Sequence, residues 1–231
     1  STLKSIGENV FSGCSSLTKV DVDSGNNYFM SKDGILYSKD ESVLICYPSG
    51  KADDYFTIPA TLKKINTDAF SGCINLKKIT VNSKNTAYKA VSDILYSKDG
   101  TVIIYYPAGR TAESFEIPSS VKTIAAGAFK DTQKLKTLTV SINVNLIENH
   151  AFDKCICLKV INYNDFEYKW ENIQKAESWK YLCPDDMQVV CKAIVKGNIA
   201  TAIKNMTKSG NIKLTGSIDI NTVSTIKAAL N

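Results

Sequence analysis

The sequence predicts a β-rich right-handed solenoid whose coils are 23-residue units, with inserted β-hairpins and a small α/β segment at the C-terminal end. Three observations predict it: Phe11, Phe70 and Phe129 are spaced 59 residues apart, a 23-residue apolar pattern occurs four times, and two 36-residue insertions match each other. Repetition of this kind is typical of solenoids, because each coil buries its apolar face only against its neighbours.

Each repeat unit mixes apolar spacings of two, three and four residues, which suit neither a single helix nor one long strand. The four units are LKSIGENVFSGCSSLTKVDV from Leu3, LKKINTDAFSGCINLKKITV from Leu62, VKTIAAGAFKDTQKLKTLTV from Val121 and VNLIENHAFDKCICLKVINY from Val144. We predict one short strand per coil, whose alternate residues point inward. Stacked coils then form one continuous core.

The two insertions, DGILYSKDESVLICYPSGKADDYFTIP and SDILYSKDGTVIIYYPAGRTAESFEIP, each predict a β-hairpin followed by one more strand. β-favouring runs flank a polar turn in both copies. The hairpins pair residues 35–37 with 43–47 and residues 94–96 with 102–106, and the added strands are 56–58 and 115–117. Pro59 and Pro118 end the added strands, because proline cannot donate to the ladder.

These units, the ILYSKD hairpins and the repeated F-x-I-P motif resemble the BspA-like leucine-rich repeat family of bacterial surface proteins. The resemblance covers about residues 3–163. Thr132 replaces the repeat cysteine in the third unit, Val10 replaces alanine before Phe11, and the asparagine of ordinary leucine-rich repeats is absent. The resemblance implies a leucine-rich repeat fold, cell-surface display, adhesion and binding of host extracellular-matrix proteins. Residues 160–191 also resemble the ending that closes many such arrays.

We predict three parts: a leucine-rich repeat solenoid with two hairpin insertions over residues 1–163, a C-terminal cap over 164–192, and a small α/β segment over 193–231. In the last part Ile199, Ile203 and Met206 have helical spacing. This segment is too short for an independent core, so it either docks on the solenoid or belongs to a domain that continues past Asn231. We expect the chain to be a fragment of a longer protein.

Composition places the 231 residues among ordinary globular proteins, with 44% hydrophobic and 22% charged residues. No run approaches the ~18 consecutive apolar residues of a membrane span, and no leader follows Ser1, so we expect no membrane insertion. The formal charge is +5, but Arg110 is the only arginine. Lysines lack the planar fork of arginine, so nucleic-acid binding is disfavoured. We expect a monomer.

Patterns of catalytic or metal-binding residues are few. The only histidine, His150, aligns with Asn9 and Asp68 at a solvated loop position, and no nucleophile elbow, phosphate loop or zinc-protease motif occurs. Residues 21–26 alternate oxygen-bearing side chains as calcium loops do, but the equivalent residues 80–85 do not repeat them, and no bidentate glutamate follows. We therefore predict no cofactor, no metal and no enzymatic activity.

Seven cysteines are present, which argues against a complete disulfide framework. Three of them share one repeat position, where buried free thiols are expected: Cys14, Cys73 and Cys155. Cys155 and Cys157 together with Cys183 and Cys191 allow a zinc knot, although a one-residue gap is unusual for zinc. The spacing also allows a disulfide between Cys183 and Cys191.

The remaining candidate site is the surface. Outward strand residues of a solenoid form a row on the sheet face, which either binds an extended partner or is simply solvated. The row is Asp21, Thr57, Thr80, Glu116, Thr139 and Asn162, flanked by Lys19 and Lys78. Hairpin tyrosines, such as Tyr37 with Tyr47 or Tyr96 with Tyr106, either pack across strands or form an exposed aromatic patch for sugar or protein contact.

The first functional hypothesis is a non-catalytic extracellular or cell-surface module that contacts a protein or glycan through its sheet face or hairpins. The resemblance implies a host extracellular-matrix protein or glycan as partner. The second is a structural spacer that displays another domain on the cell surface. An exposed apolar patch of several hundred Å² favours binding, and a uniformly polar surface favours a spacer. An enzyme elsewhere in a longer chain is a third possibility.

Overall fold

The computed structural model describes residues 2–7, 10–165 and 167–191, and these form the predicted solenoid of about five turns. The predicted α/β segment, residues 193–231, lies outside the described residues. The strands, in chain order, are β1 (Phe29–Lys32), β2 (Ile35–Ser38), β3 (Val43–Cys46), β4 (Tyr55–Ile58), β5 (Lys64–Ile65), β6 (Lys78–Val81), β7 (Tyr88–Val91), β8 (Ile94–Ser97), β9 (Val102–Tyr105), β10 (Ser114–Glu116), β11 (Thr123–Ile124), β12 (Thr137–Val140), β13 (Leu146–Ile147), β14 (Val160–Tyr163), β15 (Gln174–Lys175) and β16 (Gln188–Cys191). A short helix, α1 (Glu167–Glu171), precedes β15.

The coils contribute strands to two faces. The first face contains the parallel pair β4–β6 and the parallel sheet β10–β12–β14–β16. The second face contains β9, β11, β13 and β15 in parallel, and β3 beside β5. The predicted strand lies in the first face in the second, third and fourth repeat units, as β6, β12 and β14, whereas residues 19–22 of the first unit form no strand. Most second-face strands are two residues long, and alternation over two residues gives no signal in a sequence.

The insertions contain the two predicted hairpins, β2–β3 and β8–β9, both antiparallel. Each insertion also contains an unpredicted strand, β1 or β7, which pairs with the first strand of the hairpin. The last hairpin strand then joins the second face, because β3 pairs with β5 and β9 pairs with β11. The insertions are therefore continuous with the second face of the solenoid.

The turn that opens each hairpin lies beside the first face. The backbone N–H of Val20 donates to the carbonyl of Gly34 at 2.8 Å, and the N–H of Ile79 donates to the carbonyl of Asp93 at 2.9 Å. In the uninterrupted sheet the neighbouring parallel strand makes such bonds. We call these turns the hairpin corners, residues 33–34 and 92–93, and each one takes the place of a strand in the ladder.

The core contains aromatic rings that pack against one another between neighbouring coils. Phe152 stacks on Phe129 with ring centres 5.2 Å apart, and Trp179 packs edge-on against Phe152 at 5.7 Å. The Phe70 ring stacks on the hairpin residue Tyr105 at 4.4 Å. Phe129 and Phe152 are fully buried. The apolar repeat position predicted from Phe70 and Phe129 is therefore the central column of the solenoid.

The segment predicted as a cap, residues 164–192, pairs with both faces as far as it is described. Its strand β15 pairs with β13 and its strand β16 pairs with β14. Trp179 takes the place of the repeat phenylalanine, since it packs on Phe152. The Cys183 thiol donates to the carbonyl of Phe152 at 3.0 Å, as the Cys155 thiol does to the carbonyl of Phe129 at 3.1 Å. The segment is one more coil, with α1 as its insertion.

The cysteines are free thiols, including Cys183 and Cys191. Cys73 and Cys155 are buried at the repeat position, as predicted, but Cys14 is exposed. The prediction for Cys14 was wrong because no coil of the described chain stacks on that side of the first unit. Cys183 contacts the preceding coil through its hydrogen bond to the Phe152 carbonyl.

Candidate binding surface

The outward residues of the first face form in-register rows. Thr57 lies beside Thr80, and their hydroxyl oxygens are 2.7 Å apart. In the four-stranded sheet, Glu116, Thr139 and Asn162 lie side by side, and the unpredicted Val190 continues their row. Neighbouring strands of a sheet are about 4.8 Å apart, so these side chains form a regular series across the coils.

The structure corrects the expectation of one continuous row. Lys19 and Asp21 lie before the first hairpin corner, outside any strand, where they form an ion pair of 2.7 Å. Lys78 and the two threonines lie on β4 and β6, and the remaining three residues lie beyond the second corner on β10, β12 and β14. The row divides because a hairpin corner replaces a strand at each insertion.

Ion pairs between adjacent coils mark the edge of the first face where its strands begin. Lysine and acid meet across neighbouring coils in three places: Lys77 with Asp54 at 3.9 Å, Lys136 with Glu113 at 2.6 Å, and Lys159 with Asp186 at 2.9 Å. Their side chains are about half exposed or more, so water screens each pair and its contribution to stability is small. Sequence reasoning missed this series, although a lysine follows the repeat leucine in the last three units, at Lys77, Lys136 and Lys159.

The hairpin tyrosines are buried, which corrects the expectation of an exposed aromatic patch at Tyr96 and Tyr106. Their exposed fractions are 3% and 1%. Tyr96 lies opposite Ile103 and not opposite Tyr106, whose ring stacks on Phe129 at 5.3 Å. Tyr37 likewise lies opposite Leu44. The hairpin strands belong to the sheets that surround the core, so these rings point inward. Burial raises the pKa of Tyr96 to about 12.

A cavity of about 590 Å³ lies between the first hairpin and β4. Its polar lining includes Lys32, Glu41 and Asp53, and the Tyr47 and Tyr55 rings lie beside them. The Tyr55 ring is 61% exposed. Sequence reasoning missed Tyr55, which differs from Ser114 at the equivalent repeat position.

His150 lies near Asp153, three residues later in the chain, and near Ser178 of the next coil. Its Nδ1 is 2.7 Å from the Asp153 carboxylate, and its Nε2 is 3.5 Å from the Ser178 hydroxyl. Burial raises the pKa of Asp153, against the opposing effect of His150. The Ser178 hydroxyl donates to the amide oxygen of Asn149 at 3.0 Å, and the imidazole is about half exposed. This geometry orients no nucleophile toward an enclosed site.

Within the residues that the structure describes, no cluster of three or more His, Cys, Asp or Glu side chains is placed to hold a metal. The same residues contain no helix long and apolar enough to cross a membrane. In residues 21–26, whose side chains alternate as in calcium loops, Asp23 and Asn26 accept backbone hydrogen bonds from their own loop, at 2.8 Å from Gly25 and at 2.8 Å from Tyr28. These carboxylate and amide oxygens therefore stabilise the loop that follows residues 19–22.

A sequence model of the BspA type leucine-rich repeat region matches the chain in six copies, over residues 1–33, 49–94 and 105–177. The chain belongs to this family. The matched ranges cover more than half of the chain. They extend past the four units recognised in the sequence and end at residue 177, within the coil that contains Trp179. The comparison with curated proteins gives no match.

Three solved structures resemble this BspA-type chain. A leucine-rich repeat protein from Eubacterium ventriosum is 24% identical with a TM-score of 0.54, over 84% of this chain and 59% of that one. The pneumococcal vaccine antigen PcpA is 16% identical with a TM-score of 0.44, over 82% and 62%. A leucine rich cell surface protein from Faecalibacterium prausnitzii is 20% identical with a TM-score of 0.42, over 72% and 65%. The first likeness supports the fold, and the chain spans less than two-thirds of each of these proteins.

Proposed function

We propose that this chain is a non-catalytic binding and adhesion module of a bacterial cell surface, which contacts a host extracellular-matrix protein through the first face. The observation that carries the proposal is the in-register series of Glu116, Thr139, Asn162 and Val190 on four parallel strands. Membership of the BspA-type family of bacterial surface proteins supports the surface location. The module acts as a monomer.

The first face suits an extended partner for a physical reason. A row of carboxylate, hydroxyl and amide groups at the regular spacing of the strands offers alternating hydrogen-bond acceptors and donors along the solenoid axis. Val190, which is about half exposed, adds an apolar contact at the end of the row. The row faces solvent, so a partner reaches it without rearrangement of the coils.

A second candidate function is a spacer that displays another domain. The observation that favours it is the series of exposed ion pairs at the strand starts, such as Lys136 with Glu113, which gives that edge a uniformly solvated character. A spacer needs soluble, rigid coils and no ligand, and the interlocked aromatic column supplies the rigidity.

Interferometry against immobilised matrix proteins separates the two functions. Thr139→Arg places a long cation in the middle of the row, and Asn145→Arg places the same cation at an exposed position beside the second-face strand β13. We expect a saturable signal that Thr139→Arg weakens at least about tenfold and Asn145→Arg leaves unchanged. Equal effects of both variants would refute contact through the first face. Silence of the unaltered protein across the panel favours the spacer.

A further inference from the structure

The cavity beside the first hairpin has a size typical of ligand sites. Its volume of about 590 Å³ falls within the ~300–1,000 Å³ of small-molecule pockets. It lies between the hairpin and β4, and therefore on the opposite side of the second corner from Thr139 and Asn162. The second insertion, 59 residues later, serves as an internal comparison for each residue of its lining.

The two insertions share the cavity walls and differ at its rim. The shared apolar and aromatic positions are Ile35 and Ile94, Tyr37 and Tyr96, Tyr47 and Tyr106, Phe56 and Phe115, and Pro59 and Pro118. The rim positions differ: Lys32 and Val91, Glu41 and Gly100, Asp53 and Ala112, Tyr55 and Ser114, and Asn82 and Ser141. Core packing explains the walls. It does not explain the rim, since the second insertion reaches the same fold with smaller side chains.

Glu41 is the rim residue that folding alone least favours. Its φ is 57°, in the left-handed region that glycine adopts freely, and Gly100 has a φ of 83° at the equivalent position. The Glu41 carboxylate accepts hydrogen bonds from the Lys32 ammonium at 2.8 Å and from the Thr61 hydroxyl at 3.1 Å. A strained residue whose carboxylate is fixed at the mouth of a cavity indicates a role in binding.

Tyr47 is one of the wall residues that the two insertions share, since Tyr106 occupies the equivalent position. It lines the cavity, its exposed fraction is 3%, and its hydroxyl makes no hydrogen bond within the described residues. The equivalent Tyr106 hydroxyl also makes no hydrogen bond within the described residues, so this unpaired hydroxyl belongs to the wall that both insertions share.

The charges of the rim select a neutral ligand. Lys32 pairs with Glu41 at 2.8 Å and Lys51 pairs with Asp53 at 3.2 Å, so a charged ligand would have to separate existing ion pairs. The carboxylates retain capacity to accept hydrogen bonds from hydroxyl groups. The exposed ring of Tyr55 offers an apolar face beside them. Several hydroxyl groups on an apolar ring face are the chemistry of a pyranose.

We propose that this cavity binds a neutral saccharide, with a pyranose ring against Tyr55 and its hydroxyl groups donating to Glu41 and Asp53. The inference deepens the proposed function, because it names a ligand class and a site separate from the row through Thr139. It rests on the proposed function only in taking the chain to be a binding module.

The test is a glycan array that carries neutral, sialylated and sulfated oligosaccharides, followed by titration calorimetry with the neutral oligosaccharide that binds best. Glu41→Gly and Tyr55→Ser install the residues that the chain itself carries in the second insertion, so both suit the fold. We expect saturable binding of a neutral oligosaccharide, weakened at least about tenfold by each variant, because each removes a polar or stacking contact. Thr139→Arg serves as the control and leaves this binding unchanged.

Three results would overturn the inference: no neutral glycan bound, only acidic glycans bound, or neutral binding that survives both Glu41→Gly and Tyr55→Ser. Melting curves by circular dichroism establish that each variant is folded. Failure of the saccharide site leaves matrix-protein binding sensitive to Thr139→Arg. Failure of the first-face proposal leaves saccharide binding sensitive to Tyr55→Ser, so the two failures are distinguishable.

Discussion

Replacing Phe129 with alanine removes the ring at the middle of the aromatic column. The ring is fully buried and stacks on Phe152 at 5.2 Å and on Tyr106 at 5.3 Å. Truncation of a buried phenylalanine costs ~3–5 kcal/mol. Each aromatic pair adds ~0.5–1.5 kcal/mol beyond burial, which places this variant at the upper end of that range. We expect the free energy of unfolding to fall by about 4–5 kcal/mol.

Phe11 provides a matched control within the same repeat position. It is only partly buried, because it belongs to the first coil, and it packs at the border of a small cluster with Phe29 and Leu36. We expect Phe11→Ala to cost less than about 2 kcal/mol, since its ring is already partly in water. The difference between the two variants isolates the contribution of stacking between coils.

Urea unfolding monitored by far-ultraviolet circular dichroism measures both variants. The midpoint and slope of each transition report stability and cooperativity, and repeat arrays lose cooperativity when one interface between coils fails. A loss below about 1 kcal/mol for Phe129→Ala would refute the aromatic column as the source of stability. Equal losses for the two variants would refute the dependence on position within the column.

Three further predictions address the surface. Glu41→Gly should raise the free energy of unfolding by about 1 kcal/mol, because relief of the left-handed conformation outweighs a partly exposed ion pair; a loss of similar size in urea would contradict it. Hydrogen bonds from Ser97 and then Thr101 lower the pKa of Asp99 to about 2, so this carboxylate stabilises the fold above pH 3.8 and that stabilisation is lost as pH falls through about 2. In Ser97→Ala the pKa should rise toward 3.8, and an unchanged carboxyl titration by NMR would refute the assignment. His150→Ala should leave hydrolysis of 4-nitrophenyl acetate at the level of the unaltered protein; a clear loss would reopen His150 and Ser178 as a reactive pair.

The sequence was sufficient for the coil because its signal repeats. Four copies of the same apolar spacing averaged out local exceptions such as Thr132, and the column of Phe70, Phe129 and Phe152 lies where the repeat placed it. The second face could not be found in this way. Its strands, such as β11 and β13, are held by parallel pairing between coils and carry too few residues for any periodicity of their own.

The candidate surface was harder to predict than the fold, because it depends on where the insertions rejoin the solenoid. Thr57 beside Thr80, and Thr139 beside Asn162, follow from the register of the repeat. The break between these two groups does not follow from the register. It arises because the carbonyl of Asp93, at the second hairpin corner, accepts the hydrogen bond from the Ile79 N–H. Burial of Tyr96 has the same origin: its strand joins a face of the core, whereas a free hairpin would expose it.

The hairpin corners explain how one repeated fold carries two different surfaces. Each corner takes the place of one strand of the first face, so the face divides into the two-stranded sheet β4–β6 and the four-stranded sheet β10–β12–β14–β16. The cavity lies beside the two-stranded sheet. The basic residue of each copy stabilises the corner: the Lys51 ammonium donates to the carbonyl of Asp33 and the Arg110 guanidinium donates to the carbonyl of Ser92, both at 3.0 Å. Both insertions keep this hydrogen bond from a basic side chain to the corner, whereas their rim residues differ. The hydrogen bond therefore maintains the fold, and the rim residues can determine what each sheet binds.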